Sequence, residues 1–498
     1  MASPRNLSRR DFLKLSSLGL FSIAAAPALR HLPSLCPPPP ADSAVLTAEQ
    51  QRRLIAAARK FIAPEIDAAR QMAVDIDFVE GPYEDASTMC GPLSVAILKE
   101  AGLLGAWVKP HDFWLVDPKN SLRPLQDTFP ESLYTWKTYE TPLKEFDFTR
   151  EPLQAGDFMY LHAAPGDTFE HVLVVNRVDR MGRAYSVTNL FVTTGTIIEE
   201  RMLYDPQQPS VGQFTDWGNR QLKNRFGNTG KAGFRIWRVK DGHSLEFPAD
   251  GNSQQLRQEL DELLLAANGD WYVTIKQIGG PVLFQFSPYA TFHPASTIKV
   301  PIAMAFYQWL EEEQIDDWST FLNEQGADGR SYASLLRAML VDSEEEASQT
   351  LVDDLGAGRL EETWKSWGLK ATHVDPRRSS ATEIMGLLED LYTGKRLTSA
   401  SNEAILAYLS TYTSNDATRI GLLRPRLPRG SVIYNKRGSL VDWPMVVADS
   451  GIIELPDAAY VFTMHGIGHG KASYEQLEAT LADTVNIFGD FLNRLSAS

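Results

Sequence analysis

Ser296 and Lys299 lie three residues apart in the stretch TFHPASTIKVPIAM. A hydroxyl and an amine at this spacing can act as nucleophile and proton acceptor if a helical turn brings them to one face. A helix beginning there would also favour developing negative charge. The pattern S-x-x-K is common, however, and alone it reads as an ordinary helix start.

A second candidate nucleophile is Cys90 in STMCGPLSVAILKEAG, at a predicted helix N-terminus where the dipole lowers a thiol pKa. The plainer reading is a small core residue ahead of an apolar helix. His171 opens HVLVVNRV, and the turn DRMG sends the chain back through AYSVTN. If Val178 pairs near Arg183, Asn189 arrives beside His171 and can hold its ring while the imidazole deprotonates Cys90. His162 is a competing base. His465 and His469 in HGIGHG are four apart, but the intervening glycines disfavour a helix and no acidic ligand adjoins them, so no metal centre is expected. Nor does acyl transfer by these groups call for a cofactor.

The chain has 498 residues, long enough for two or three domains. A net charge of -15 argues against a nucleic-acid partner, which basic patches would have to hold. Near the N-terminus, Arg9 and Arg10 precede an apolar run that ends in small residues around Ala26 and Ala28. This resembles a twin-arginine export signal over residues 1–28, and implies transient contact with that export machinery and a periplasmic or extracellular location. Residues 29–46 contain CPPPP and read as a stiff tether. Leu35 is bulky where lipid attachment favours a small residue, which disfavours an anchor through Cys36.

Two α+β domains are expected to position these groups. In residues 47–240, a helical stretch broken at Pro64 and the helix after Cys90 precede strands in GDFMYLHA, HVLVVNRV and AYSVTNLFV. Residues 241–254 read as a linker. From 255 to 498, a helix, two strands around Gly279 and Gly280, a helical block, three strands and a last helix predict an antiparallel sheet flanked by helices.

Beyond Ser296 the order of segments is informative: MLVDSEEEASQTLVDDLG about 45 residues on, then VIYNKRGSL and VVADSGIIEL. This order resembles the class A serine beta-lactamase and penicillin-binding protein superfamily. The resemblance implies Ser296 as nucleophile, Lys299 as its activator, Ser343 as a relay to the leaving amine, and Lys436 as a binder of substrate carboxylate. It also implies an oxyanion hole from the Ser296 N–H and one on the strand after Gly438, near Leu440. Two departures stand out: Glu345 replaces an amide that donates to substrate, and Arg437 replaces a small hydroxyl. Glu345 and Arg437 are expected either to pair across the cleft or to read a charged substrate. No glutamate in an E-x-x-L-N setting is found to drive deacylation; Asp375 and Glu383 lie nearby but not in that setting.

Cys90, His171 and Asn189, with Gly156 and Asp157 before a strand, resemble papain-like cell-wall amidases and endopeptidases. Together the two resemblances imply an exported hydrolase or transpeptidase acting on cell-wall peptides through acyl-enzymes. The alternatives are a catalytically reduced cell-wall-peptide binder and a beta-lactamase.

Overall fold

The computed structural model describes residues 46–497 apart from 77–88, 115, 120–121, 165–169, 193–194, 219–228, 241–246, 249, 314, 316–317 and 414–417. The expected export signal, the tether as far as residue 45 and Cys36 lie outside the described residues.

The N-terminal lobe begins with α1 (Ala48–Lys60), capped by Thr47: its hydroxyl accepts from the Gln50 N–H, and the Gln50 side chain accepts from the Thr47 N–H. The chain breaks around Pro64 and resumes as α2 (Ile66–Asp75). Helix α3 (Cys90–Glu100) is buried from Gly91 through Leu98, so it is a core helix rather than an amphipathic surface one.

Strands β1 (Tyr134–Tyr139), β2 (Phe158–Leu161), β3 (His171–Val174), β4 (Arg177–Val178), β5 (Ala184–Val192), β6 (Gly195–Tyr204) and β7 (Phe234–Val239) form two antiparallel sheets. Their orders are β1-β7-β2-β3 and β4-β5-β6. Between β6 and β7 lies the short helix α4 (Gln213–Gly218).

Alternation in the four-stranded sheet sorts its side chains cleanly. Phe158, Tyr160, Val172, Val174 and Trp237 pack with α3, while Met159, Leu161, Leu173, Phe234 and Ile236 pack on the other face with Phe214 and Trp217 of α4. The pair Asp157–Arg238 is buried at the foot of β2 and β7, with two hydrogen bonds of 2.7 and 2.6 Å.

The C-terminal lobe starts earlier than its sequence suggests. Helix α5 (Gly251–Ala266) begins inside the expected linker, because Asp250 accepts from the Ser253 N–H and caps it there. Strands β8 (Asp270–Gln277), β9 (Val282–Phe286), β12 (Val432–Leu440), β13 (Val446–Glu454) and β14 (Ala459–Ile467) form one antiparallel sheet of order β12-β13-β14-β8-β9. A two-residue hairpin, β10 (His373–Val374) with β11 (Arg377–Arg378), stands apart.

One face of the five-stranded sheet packs Val273, Ile275, Val447 and Phe462 against α5 and the C-terminal helix Tyr474–Ala497. The other packs Tyr272, Ala448, Ile452 and Val461 against α6 (Lys299–Glu312), α7 (Tyr332–Leu340), α8 (Glu345–Leu355) and α9 (Ala381–Thr393). This is the expected antiparallel sheet flanked by helices. None of the described helices is long and apolar enough to cross a membrane.

Candidate active site

Ser296 sits in a 3-10 turn, Ala295–Ile298, that runs directly into α6 at Lys299. At three residues per turn, positions three apart eclipse, so Ser296 and Lys299 emerge on one side. The turn is tightly tied. Thr297 Oγ1 donates to the Pro294 carbonyl at 2.7 Å and meets His465 Nε2 at 3.1 Å, while His293 Nδ1 accepts from the Ala295 N–H at 3.1 Å. Burial pushes the His465 imidazole down to about 3, so it is neutral. Ala295 itself has φ 49°, and Ser343, the residue that faces this turn, has φ 61°. Two non-glycine residues held in the left-handed region cost on the order of 1–3 kcal/mol each, and such strain gathers at functional sites.

Both buried lysines converge on Ser343. Lys436 Nζ donates to Ser343 Oγ at 2.7 Å, and Lys299 Nζ donates to the Ser343 carbonyl, also at 2.7 Å. Lys299 further reaches the Glu344 carbonyl at 3.2 Å and Glu345 Oε2 at 3.2 Å. Three oxygen acceptors match the three donors of an ammonium group. Burial pulls the Lys299 pKa down and Glu345 pulls it back up. Lys436 is brought down to about 7, chiefly by burial and then by the charge of Lys299. The Ser296 hydroxyl is half-buried and makes no hydrogen bond to Lys299 among the described residues.

Strand β12 is the sheet edge beside the serine. A Cβ on Gly438 would lie 2.9 Å from Ala295 Cβ and 3.0 Å from Ser296 N, so only glycine permits this approach. Alternation then directs Lys436, Gly438 and Leu440 toward the serine and Arg437 away from it.

The expected Glu345–Arg437 pair is therefore corrected. Arg437 donates to Thr418 Oγ1 at 2.7 Å, whereas Glu345 forms ion pairs with Arg377 and Lys299. Arg377 comes from the β10–β11 hairpin, whose partner choice is a long-range matter the local pattern does not announce.

The oxyanion donor expected near Leu440 also moves. Arg419 Nη1 donates to both Gly438 O, at 3.0 Å, and Ala448 O, at 2.7 Å, although these two residues face each other across β12 and β13. One nitrogen can reach both carbonyls only if they point toward each other, which makes this a hydrogen-bonded pair. By alternation the Ser439 N–H, not that of Leu440, points outward along the edge.

Glu383 does not serve this site. Its carboxylate accepts from the N–H groups of Lys370 and Ala371 and from the Thr372 hydroxyl. Asp375 is exposed on the hairpin turn.

The cysteine arrangement does not assemble as expected. Cys90 packs with the cluster that contains Val172, on the α3 face of the sheet. His171 points to the opposite face, its ring 4.7 Å from that of Trp217 and its Nε2 2.8 Å from Thr188 Oγ1. Asn189 follows Thr188 on β5 and leaves that strand on the other side. The expected hairpin is met to about one residue, with Val178 opposite Ala184 and His171 at Thr188, but alternation places Thr188 and Asn189 on opposite faces of β5. Burial raises the Cys90 thiol, the reverse of activation, against smaller opposing contributions from backbone N–H groups including that of Val172. His162, buried and neutral with a pKa lowered to about 4, follows Tyr160 on the α3 side. His465 meets Thr297 and His469 lies near Asp270, and no group of potential metal ligands occurs among the described residues.

Residues 255–486 match the beta-lactamase enzyme family. Among solved structures, the chain is similar to the TLA-1 extended-spectrum beta-lactamase, at 17% identity over 49% of this chain and 99% of that one, with a TM-score of 0.42. It is similar to PBP-A, at 20% identity over 51% and 98%, with a TM-score of 0.40. It is also similar to a beta-lactamase from Xanthomonas campestris pv. campestris, at 20% identity over 48% and 98%, with a TM-score of 0.42. No curated protein matches the chain.

Proposed function

We propose that the C-terminal lobe is a serine acyl-transfer enzyme whose substrate is an amide beside a carboxylate, the chemistry shared by beta-lactams and cell-wall peptides. The observation that carries this reading is the meeting of Lys299 and Lys436 on Ser343, with the half-buried Ser296 in the 3-10 turn that leads directly into Lys299. Ser296 Oγ attacks the amide carbon, and its proton passes to Lys299 once that amine is free of its own. The oxyanion rests between the N–H groups of Ser296 and Ser439. Ser343 Oγ donates a proton to the departing amine and is replenished by Lys436, whose charge also attracts the substrate carboxylate. The twin-arginine pattern at Arg9 and Arg10 supports export to the compartment where such substrates occur.

A binding protein with slow or absent turnover is the second reading, favoured by the three acceptors that hold Lys299 as an ammonium ion. Intact-mass measurement after incubation with a fluorescent penicillin separates the two. A covalent adduct in the full chain that disappears in Ser296→Ala supports the enzyme. Reversible binding with no mass change supports the binder.

A further inference from the structure

Hydrolysis of a Ser296 ester needs a group to take a proton from the attacking water, and among the described residues Glu345 is a carboxylate placed for it. Glu345 Oε2 lies 3.2 Å from Lys299 Nζ, and its side chain remains 58% exposed, so water reaches it. Its charge acts on His293, three residues before Ser296, and on Lys299, three residues after, so the carboxylate lies alongside the serine's own turn. Arg377 holds the other carboxylate oxygen.

The neighbouring acids are otherwise engaged. Glu344 is bound by both oxygens to Arg330 Nη1, at 2.8 and 3.0 Å, and Glu383 is consumed by the backbone N–H groups and hydroxyl at the start of the hairpin.

We propose that Glu345 is the general base of deacylation, a role that rests on the acyl-enzyme reading above. Water oxygen bonds to the ester carbon as one water proton moves to the Glu345 carboxylate. The bond from the acyl carbon to Ser296 Oγ then breaks, and the Lys299 ammonium protonates that oxygen. Glu345 returns its proton to the Lys299 amine across their direct contact, and the proton left on Lys299 then replaces the one Lys436 gave toward the leaving amine, so the cycle closes with Lys299 free and no net proton change. Arg377 is a positioning residue: it keeps the carboxylate ionised and turned toward Lys299.

The test follows the mass of the full chain through a single turnover of benzylpenicillin, for wild type, Glu345→Gln and Glu345→Asp, with melting temperatures to verify folding. Wild type is expected to gain and then lose the adduct. Glu345→Gln, which keeps the shape but not the basicity, should acquire the adduct and retain it about 100-fold longer or more, the scale of a lost general base. Glu345→Asp should recover part of the clearance rate. Adduct loss from Glu345→Gln at the wild-type rate would overturn the assignment, as would a wild-type adduct that never clears. Absence of any wild-type adduct would remove the acyl-enzyme reading itself and this inference with it.

Discussion

Replacing Gly438 by alanine perturbs the site at its narrowest point. The added Cβ would stand 2.9 Å from Ala295 Cβ, 3.0 Å from Ser296 N and 3.2 Å from the Pro294 carbonyl oxygen. Carbon contacts relax at about 3.5–4.0 Å, so roughly half an ångström or more must open between β12 and the serine turn. The turn cannot easily supply it, because Thr297 is tied to Pro294 and His465. Strand β12 must therefore move, carrying the Ser439 N–H away from the oxyanion position. Overpacking of this kind costs about 1–3 kcal/mol, which lowers the melting temperature of a lobe this size by roughly 2–4 °C per kcal/mol. Complete loss of an oxyanion donor costs about 10²–10³ in rate, so partial displacement should slow acylation roughly ten- to a hundredfold. Stopped incubations with fluorescent penicillin, read by intact mass, measure it. Gly386→Ala is the control: that glycine lies in α9 with open space around its Cβ position, so alanine should leave acylation unchanged and stabilise by up to about 1 kcal/mol. Wild-type acylation and melting in Gly438→Ala would refute the proposed contact between strand and nucleophile.

Cys90→Ala should leave penicillin acylation unchanged, and alkylation of Cys90 by iodoacetamide at pH 7 should be slow; rapid labelling would contradict the raised thiol pKa. Arg238→Ala strands the buried Asp157 carboxylate and should cost about 3–5 kcal/mol in chemical denaturation, with loss under about 1 kcal/mol counting against a buried pair. Lys436 titrates near 7 in the folded chain against about 10.4 unfolded, so acylation at low substrate should fall as pH rises through 7 and its charge is lost. Its contribution to stability runs the other way: the unfolded state holds the proton up to about 10.4, so that contribution grows between pH 7 and 10. Acylation that stays flat from pH 6 to 9 would exclude a charged Lys436 from substrate binding.

Local pattern carried the C-terminal lobe well. Alternating apolar residues around Gly279–Gly280 and in AYVFTMHGI became β8, β9 and β14, and the S-x-x-K turn gained meaning from the strand that follows far downstream. Local pattern was less informative where partners are distant. Strands β1 and β7 pair across about a hundred residues, and neither YTWKTY nor FRIWRV alone announces that match. The His171–Asn189 expectation turned on a single residue: the hairpin brings His171 to Thr188, and one step along β5 sends the Asn189 side chain to the opposite face. Alternation along β12 was available from sequence, and would have turned Arg437 away from Glu345 once Gly438 was set against the serine.

Electrostatics then link these geometric facts to substrate choice. Lys299, Lys436 and Arg377 bring three positive charges together near Ser343, and the Glu345 carboxylate pairs with two of them, Lys299 and Arg377. Burial, and then the charge of Lys299, weakens the hold of Lys436 on its proton, against the opposing pull of Asp449. Desolvated charge is costly, and in the proposed reaction an anionic substrate group beside Ser343 would add to the pull of Asp449 on Lys436. The acidity of the chain as a whole, at net -15, makes this positive cleft a local exception. A neutral amide would bind there without relieving Lys436, whereas an amide flanked by a carboxylate would both bind and restore the proton that Ser343 must pass to the leaving amine.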